Sequence, residues 1–266
     1  MAAILTNETI LSVRNLRINY GSKEVLKGID LEIKRGQVIG YIGPNGAGKS
    51  TTIKILLGLE ESYVGTVELF GQDISQGDVT YKRRIGYVPE TAEIYDHLTA
   101  SEYLSFVGGL YGMEEEDIDV KAQKMMALFG LGDVYHSRIS SLSKGMRQKV
   151  LIIASLIHNP DLVILDEPIN GLDANSVTVF KEILAQLAKR GKTIFYSSHI
   201  MDVVEKISDR IILLSDGKIA ADGSFEELRS QHSEGSLEEI FTELTGFNDH
   251  KDIAYAFVSA IEGGKA

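Results

Sequence analysis

One short segment constrains this chain more than any other. Gly43-Pro44-Asn45-Gly46-Ala47-Gly48-Lys49-Ser50-Thr51 lies between an apolar run, Val38–Ile42, and a helical pattern carrying Ile53, Leu56 and Leu57. The apolar run does not alternate, as in a strand buried on both faces. A buried strand that feeds a helix through a glycine-rich turn belongs to an α/β sheet, whose strand ends face the ligand. The glycines let successive backbone N–H groups turn inward around an anion. The helix that follows sets its positive dipole end beneath them.

The spacing Gly43-x-x-x-x-Gly48-Lys49-Ser50 is that of a P-loop, or Walker A motif, in the strand-to-helix setting it requires. Lys49 is placed to reach the β- and γ-phosphates of a nucleotide, and Ser50 to bind Mg2+. Many enzyme classes share this loop, so alone it does not choose a function. A second buried run, Leu162–Leu165, ends in Asp166-Glu167-Pro168. Two acids at a strand's C-terminal end sit where open α/β sheets bind ligands. Asp166 can hold Mg2+ through water, and Glu167 can orient or deprotonate an attacking water.

The remaining pattern fits around these motifs. The first stretch alternates at Leu11, Val13, Leu16, Ile18 and Tyr20 with one phase slip, and Val25–Ile33 alternates again. Residues 65–74 read as a strand and turn. From about Tyr87 to Pro160 the character is helical, with segments at Ala100–Tyr111, Glu114–Gly130 and Lys144–His158. Strand signals return at Leu162–Leu165, Thr193–Ser197 and Ile211–Leu214, separated by helical patterns at Ser176–Arg190 and Ile200–Ile207. Alternating strands and helices imply a parallel sheet covered on both faces. After Gly223 the chain reads as mostly helical, ending in an amphipathic stretch at Ile253–Ile261.

Composition narrows the function. Lys plus Arg number 27 and Asp plus Glu 38 in 266 residues, a net charge of −11. That balance argues against nucleic acid as a partner. The chain has no cysteine, which excludes disulfides, thiolate metal sites and cysteine nucleophiles. Its apolar runs fall short of the roughly 18 residues a spanning helix needs. The opening MAAILTNETI lacks the basic and apolar regions of a signal peptide, so a cytoplasmic location is expected.

Between the two phosphate-related motifs lies Leu142-Ser143-Lys144-Gly145-Met146-Arg147-Gln148. With this third motif the chain, from roughly Ile10 to Gly223, resembles the ATP-binding subunits of ABC transporters. The resemblance rests on Walker A, an LSGGQ-type signature, Walker B, and a histidine, His199, after the next strand. It implies an α/β fold: a P-loop NTPase parallel-sheet core, an N-terminal antiparallel β subdomain, and an inserted α-helical signature subdomain at about 88–160. Residues 1–223 would form the cassette and 224–266 a C-terminal helical extension. It also implies ATP and Mg2+ as ligands, with Gly43 through Thr51 around the phosphates.

Further roles follow residue by residue. Tyr20 stands where the family stacks an aromatic on adenine; a tyrosine in a small strand core is the alternative. Ser143 and Gly145 match the signature positions that bind the γ-phosphate held by the opposite subunit, while Lys144 and Met146 replace Gly and Gln. Asp173 resembles the aspartate that communicates between the two sites. His199 matches the histidine that contacts the γ-phosphate. Glu90, in Tyr87-Val88-Pro89-Glu90, replaces a glutamine that links Mg2+ and the attacking water to the membrane partner; a carboxylate can still ligate Mg2+.

The implied partners are a second ABC subunit, the same or different, and a separate transmembrane permease, on the cytoplasmic face of the membrane. Residues 90–102 are where the family docks a permease helix. Leu98, Thr99, Glu102 and Tyr103 suit that role, although Thr99 with Glu102 equally suits a helix cap. The signature variant and Ser236–Phe241 resemble export-type cassettes, with import as the other possibility. A non-transport cassette ATPase is a second reading. The stripe near the C-terminus can cover the sheet, touch the permease or pair in a dimer.

Overall fold

The structure, a computed structural model, describes residues 8–91, 94–232, 235–246 and 250–261. The alternating N-terminal stretch forms β1 (Thr9–Tyr20) and β2 (Lys23–Lys34), which pair antiparallel. Its phase slip is a bulge. The register shifts between Val13 and Leu16, and Asn15 takes the left-handed conformation at φ 46°. The extra residue restores the apolar phase, so Val13 and Leu16 both face the core. β3 (Val38–Ile42), buried at all five positions, leads through the glycine-rich loop into α1 (Lys49–Leu56). β4 (Val64–Leu69) and β5 (Gln72–Asp73) complete a four-stranded sheet of order β2-β1-β4-β5.

A second sheet begins with β6 (Ile85–Val88). The helical arm follows: α2 (Ala100–Leu110), α3 (Glu115–Leu128) and α4 (Lys144–Leu156). Then come β7 (Leu162–Asp166), α5 (Ala174–Lys189), β8 (Thr193–Ser197), α6 (Met201–Ile207), β9 (Arg210–Ser215) and β10 (Lys218–Gly223). The order is β10-β9-β3-β8-β7-β6, parallel throughout except for β10, which pairs antiparallel with β9. The expected fold class is borne out: an antiparallel subdomain, a mainly parallel core and a helical insertion. β6 runs across the start of the stretch read as helical, and β10 has no counterpart in the sequence reading. Four apolar residues carry no period that separates strand from helix.

Three apolar clusters hold these layers together. The first lies between the two sheets, the second on the opposite face of the parallel sheet, and the third inside the arm. α7 (Phe225–Gln231) and α8 (Leu237–Thr245) place Leu228, Leu237 and Ile240 in the second cluster. The C-terminal stripe forms part of α9 (His250–Ile261), where Ile253, Tyr255, Phe257, Val258 and Ile261 are exposed rather than laid over the sheet. Thr99 and Glu102 form a capping box at the start of α2. Among the described residues no helix is long and apolar enough to cross a membrane.

Candidate functional site

β3 delivers the loop to the carboxyl edge of the sheet. Gly48 has φ 111°, and a Cβ there would lie 2.4 Å from Leu26 Cδ2, so only glycine fits. Thr52 ties the loop's last turn to the core: its hydroxyl donates to Gly48 O at 3.0 Å and meets the buried Tyr41 hydroxyl at 3.0 Å. Lys49 Nζ donates to Gly43 O at 2.6 Å and Pro44 O at 3.2 Å. Burial holds its ammonium below the usual lysine range, against the pull of Glu167, Asp166 and Glu90.

Tyr20, Asn45, Gly46, Gly48, Lys49, Ser50 and Thr51 line one cleft of about 280 Å³, together with Lys23 and Val25. Tyr20 is 46% exposed on its rim and donates to Glu60 at 2.9 Å, so it is not a core tyrosine. Ala47 is buried beneath the loop.

The acids arrive from β7. Asp166 is buried, and desolvation first, then the charges of Glu90 and Glu167, push its carboxyl up to about 6. Glu167 takes φ 48°, a strained backbone for a residue with a Cβ. Its N–H donates to Ser197 O at 3.0 Å, which ties the turn to β8. Its two carboxylate oxygens have different partners: His199 Nδ1 lies 2.8 Å from Oε1, and Ser198 Oγ donates to Oε2 at 3.3 Å. Lys49, Asp166, Glu167, Glu90 and His199 thus converge beside the cleft.

Ser143, Gly145 and Asp173 form a separate group and do not line that cleft. Ser143 caps α4, accepting from Met146 N at 3.2 Å, and its side chain is exposed. Gly145 packs so closely that a Cβ would lie 2.5 Å from Gly171 O. Asp173 caps α5; hydrogen bonds from Ser176 draw its carboxyl down to about 2, and Lys149 lies 3.6 Å away. The N-terminus of α4 is a positive dipole end, suited to an anion.

Two further residues join the site without having been anticipated. Ser198 is fully buried against Glu167. Gln148 is buried in α4 and donates to Pro168 O at 2.9 Å, linking the helix to the turn after the acids. Hydroxyls beside a histidine at a strand end, and an amide in an apolar helix, were the signals available.

Of the docking segment 90–102, Ala92 and Glu93 lie outside the described residues. Tyr103 is buried in the arm, and Thr99 and Glu102 cap α2. An apolar hollow of about 250 Å³ is lined by Tyr95, His97, Leu98 and Phe106.

Comparison with known proteins agrees with this geometry. The ABC transporter family model matches residues 26–170. The chain is 37% identical over 220 residues to the ABC transporter ATP-binding protein NatA of Bacillus subtilis, covering 82% of this chain and 89% of that protein. It is 36% identical over 222 residues to the linearmycin resistance ATP-binding protein LnrL of the same organism, covering 84% and 71%. A solved ATP binding subunit of an ABC transporter superposes with TM-score 0.84 at 34% identity, over 89% of this chain and all of that one. The structure of cbiO1 from Clostridium perfringens, part of the ABC transporter complex cbiONQ, superposes with TM-score 0.73 at 27% identity, over 85% and 92%. With family, fold and convergent phosphate-site residues in agreement, the chain belongs to the ABC transporter family, as an ATP-binding and ATP-hydrolysing subunit.

Proposed function

We propose that this subunit is one half of an ATP-driven clamp that moves a substrate outward through a separate transmembrane permease. The observation that carries this reading is the division of the site. The loop and Lys49 line one cleft with the acids beside it, while the exposed Ser143 end of α4 lies in another part of the chain. Two chains packed head to tail would bring each α4 N-terminus to the other's nucleotide. Two positive helix ends facing one γ-phosphate hold the chains together, and hydrolysis removes the link.

Within each site, Tyr20 stacks on adenine, the N–H groups of Gly43 through Thr51 cradle the phosphates, and Lys49 pairs with the β- and γ-phosphates. Gly145 joins Ser143 on the opposite γ-phosphate, and Asp173 carries occupancy between the sites. Glu167 activates the attacking water. His199 Nδ1, directed to Glu167, leaves Nε2 for the γ-phosphate.

The donor set suits Mg2+: hard oxygens from Ser50, Asp166 and Glu90, with Asp166 held in a field of like charge that a cation relieves. Bound there, Mg2+ would neutralise charge on the phosphate oxygens. Residues 1–223 act as the cassette, with the arm at about 88–160, and 224–266 as an extension. The hollow at Tyr95, Leu98 and Phe106 receives the permease at the cytoplasmic face of the membrane. Membership of cbiO1 in the cbiONQ complex supports a separate partner, and the resistance named for LnrL supports outward movement.

Glu167→Gln tests the reading. The variant should bind ATP, run as an ATP-stabilised dimer in size-exclusion chromatography, and not turn over. Hydrolysis near the wild-type rate would remove Glu167 as the base.

A further inference from the structure

Glu167 is held at three points, and one of them is a side chain outside the motif residues. Its backbone N–H is fixed to β8, and its Oε1 meets His199 Nδ1 at 2.8 Å. Its Oε2 accepts from Ser198 Oγ at 3.3 Å. Ser198 is 0% exposed, so water does not compete for this bond. Ser198 Oγ also accepts from Ile200 N at 3.1 Å. A hydroxyl has one proton to give. With the Ile200 N–H occupying an acceptor position, that proton is directed to the carboxylate.

Resting on the reading of Glu167 as the base, we propose that Ser198 is a positioning residue for ATP hydrolysis. It holds one oxygen of Glu167 so that the other is presented to the attacking water. Without it the carboxylate has one fixed oxygen and can turn about its terminal torsion, which is soft and roughly two-fold. Both oxygens then become equivalent partners for His199. The restraint also joins Glu167 to α6, because Ile200 sits immediately before that helix. Ser198 does not line the nucleotide cleft, so its removal leaves ATP binding alone and lowers the rate of the step that needs an oriented base.

The test is steady-state ATPase of the full chain, with melting temperature recorded for each variant. Ser198→Ala should lower kcat about tenfold, the scale of a hydrogen bond to a charged group, with KM for ATP within about twofold of wild type. Ser198→Thr keeps the hydroxyl and should recover most of kcat. If Ser198→Thr does not fold, a Ser198→Ala enzyme that melts normally decides the matter by whether its loss falls in kcat or in KM. A Ser198→Ala enzyme with kcat near wild type overturns the proposal. So does a loss confined to KM, or a Ser198→Thr enzyme that melts normally yet is as slow as Ser198→Ala. The two levels separate cleanly. Wild-type turnover in Glu167→Gln overturns the base and with it Ser198, whereas an inactive Glu167→Gln with a fast Ser198→Ala overturns Ser198 alone.

Discussion

Asp166 destabilises the nucleotide-free chain, and removing its charge should make the protein more stable. Its carboxyl is pushed from 3.8 to about 6, by burial first and then by Glu90 and Glu167. The folded state therefore holds a proton that the unfolded chain has already released, and stability from this group falls as pH rises through about 6. The shift of about 2 units corresponds to about 3 kcal/mol at about pH 7.5, taken as an upper bound. By about pH 4.5 the group is mostly protonated when folded and mostly ionised when unfolded, which leaves about 1 kcal/mol. Asp166→Asn keeps the shape and removes the charge. Without nucleotide or Mg2+, its melting temperature at about pH 7.5 should exceed wild type by several degrees, up to about 6–12 °C for a chain of this size. The difference should shrink to about a third at about pH 4.5, while ATPase activity is lost. Calorimetry at the two pH values checks this. An Asn variant that melts at or below wild type near neutrality, or whose advantage does not shrink in acid, would refute the reasoning.

Two other perturbations follow from the same site. Glu90→Gln removes a negative charge beside Asp166 and Lys49. It should raise the Mg2+ concentration needed for half-maximal ATPase several-fold; an unchanged Mg2+ titration and rate would dismiss Glu90 as a ligand. Gly145→Ala improves helix propensity by up to about 1 kcal/mol but places a Cβ 2.5 Å from Gly171 O, a backbone atom that cannot swing aside. Overpacking of this kind costs about 1–3 kcal/mol. The variant should melt lower and lose ATPase activity, and a variant that melts higher with full activity would show that the contact relaxes freely.

Much of this site was legible in the sequence because its chemistry depends on spacing. Lys49, Ser50, Asp166 and Glu167 were placed by their positions after buried strands and His199 by the family resemblance, and β3, β7 and β8 bring them to one edge. The phase slip near Asn15 was visible as a break in alternation, although a bulge is recognised only once its partner strands are known. The four-residue β6 was hidden because pairing with β7, not its own pattern, makes it a strand. Ser198 was hidden for a related reason. Its partner, Glu167, is 31 residues away, and no local period marks a hydroxyl that acts across strands. Asp173 shows a second limit: its place at the start of α5 also satisfies that helix's first N–H groups.

The lysine lodged in its own loop bears on how such a motor idles. Lys49 Nζ is bonded to two carbonyl oxygens of the loop that carries it, Gly43 O and Pro44 O. With Lys49 read as the phosphate-binding lysine, a nucleotide would exchange one set of oxygen partners for another. Emptying and refilling are in this sense a substitution at a single side chain.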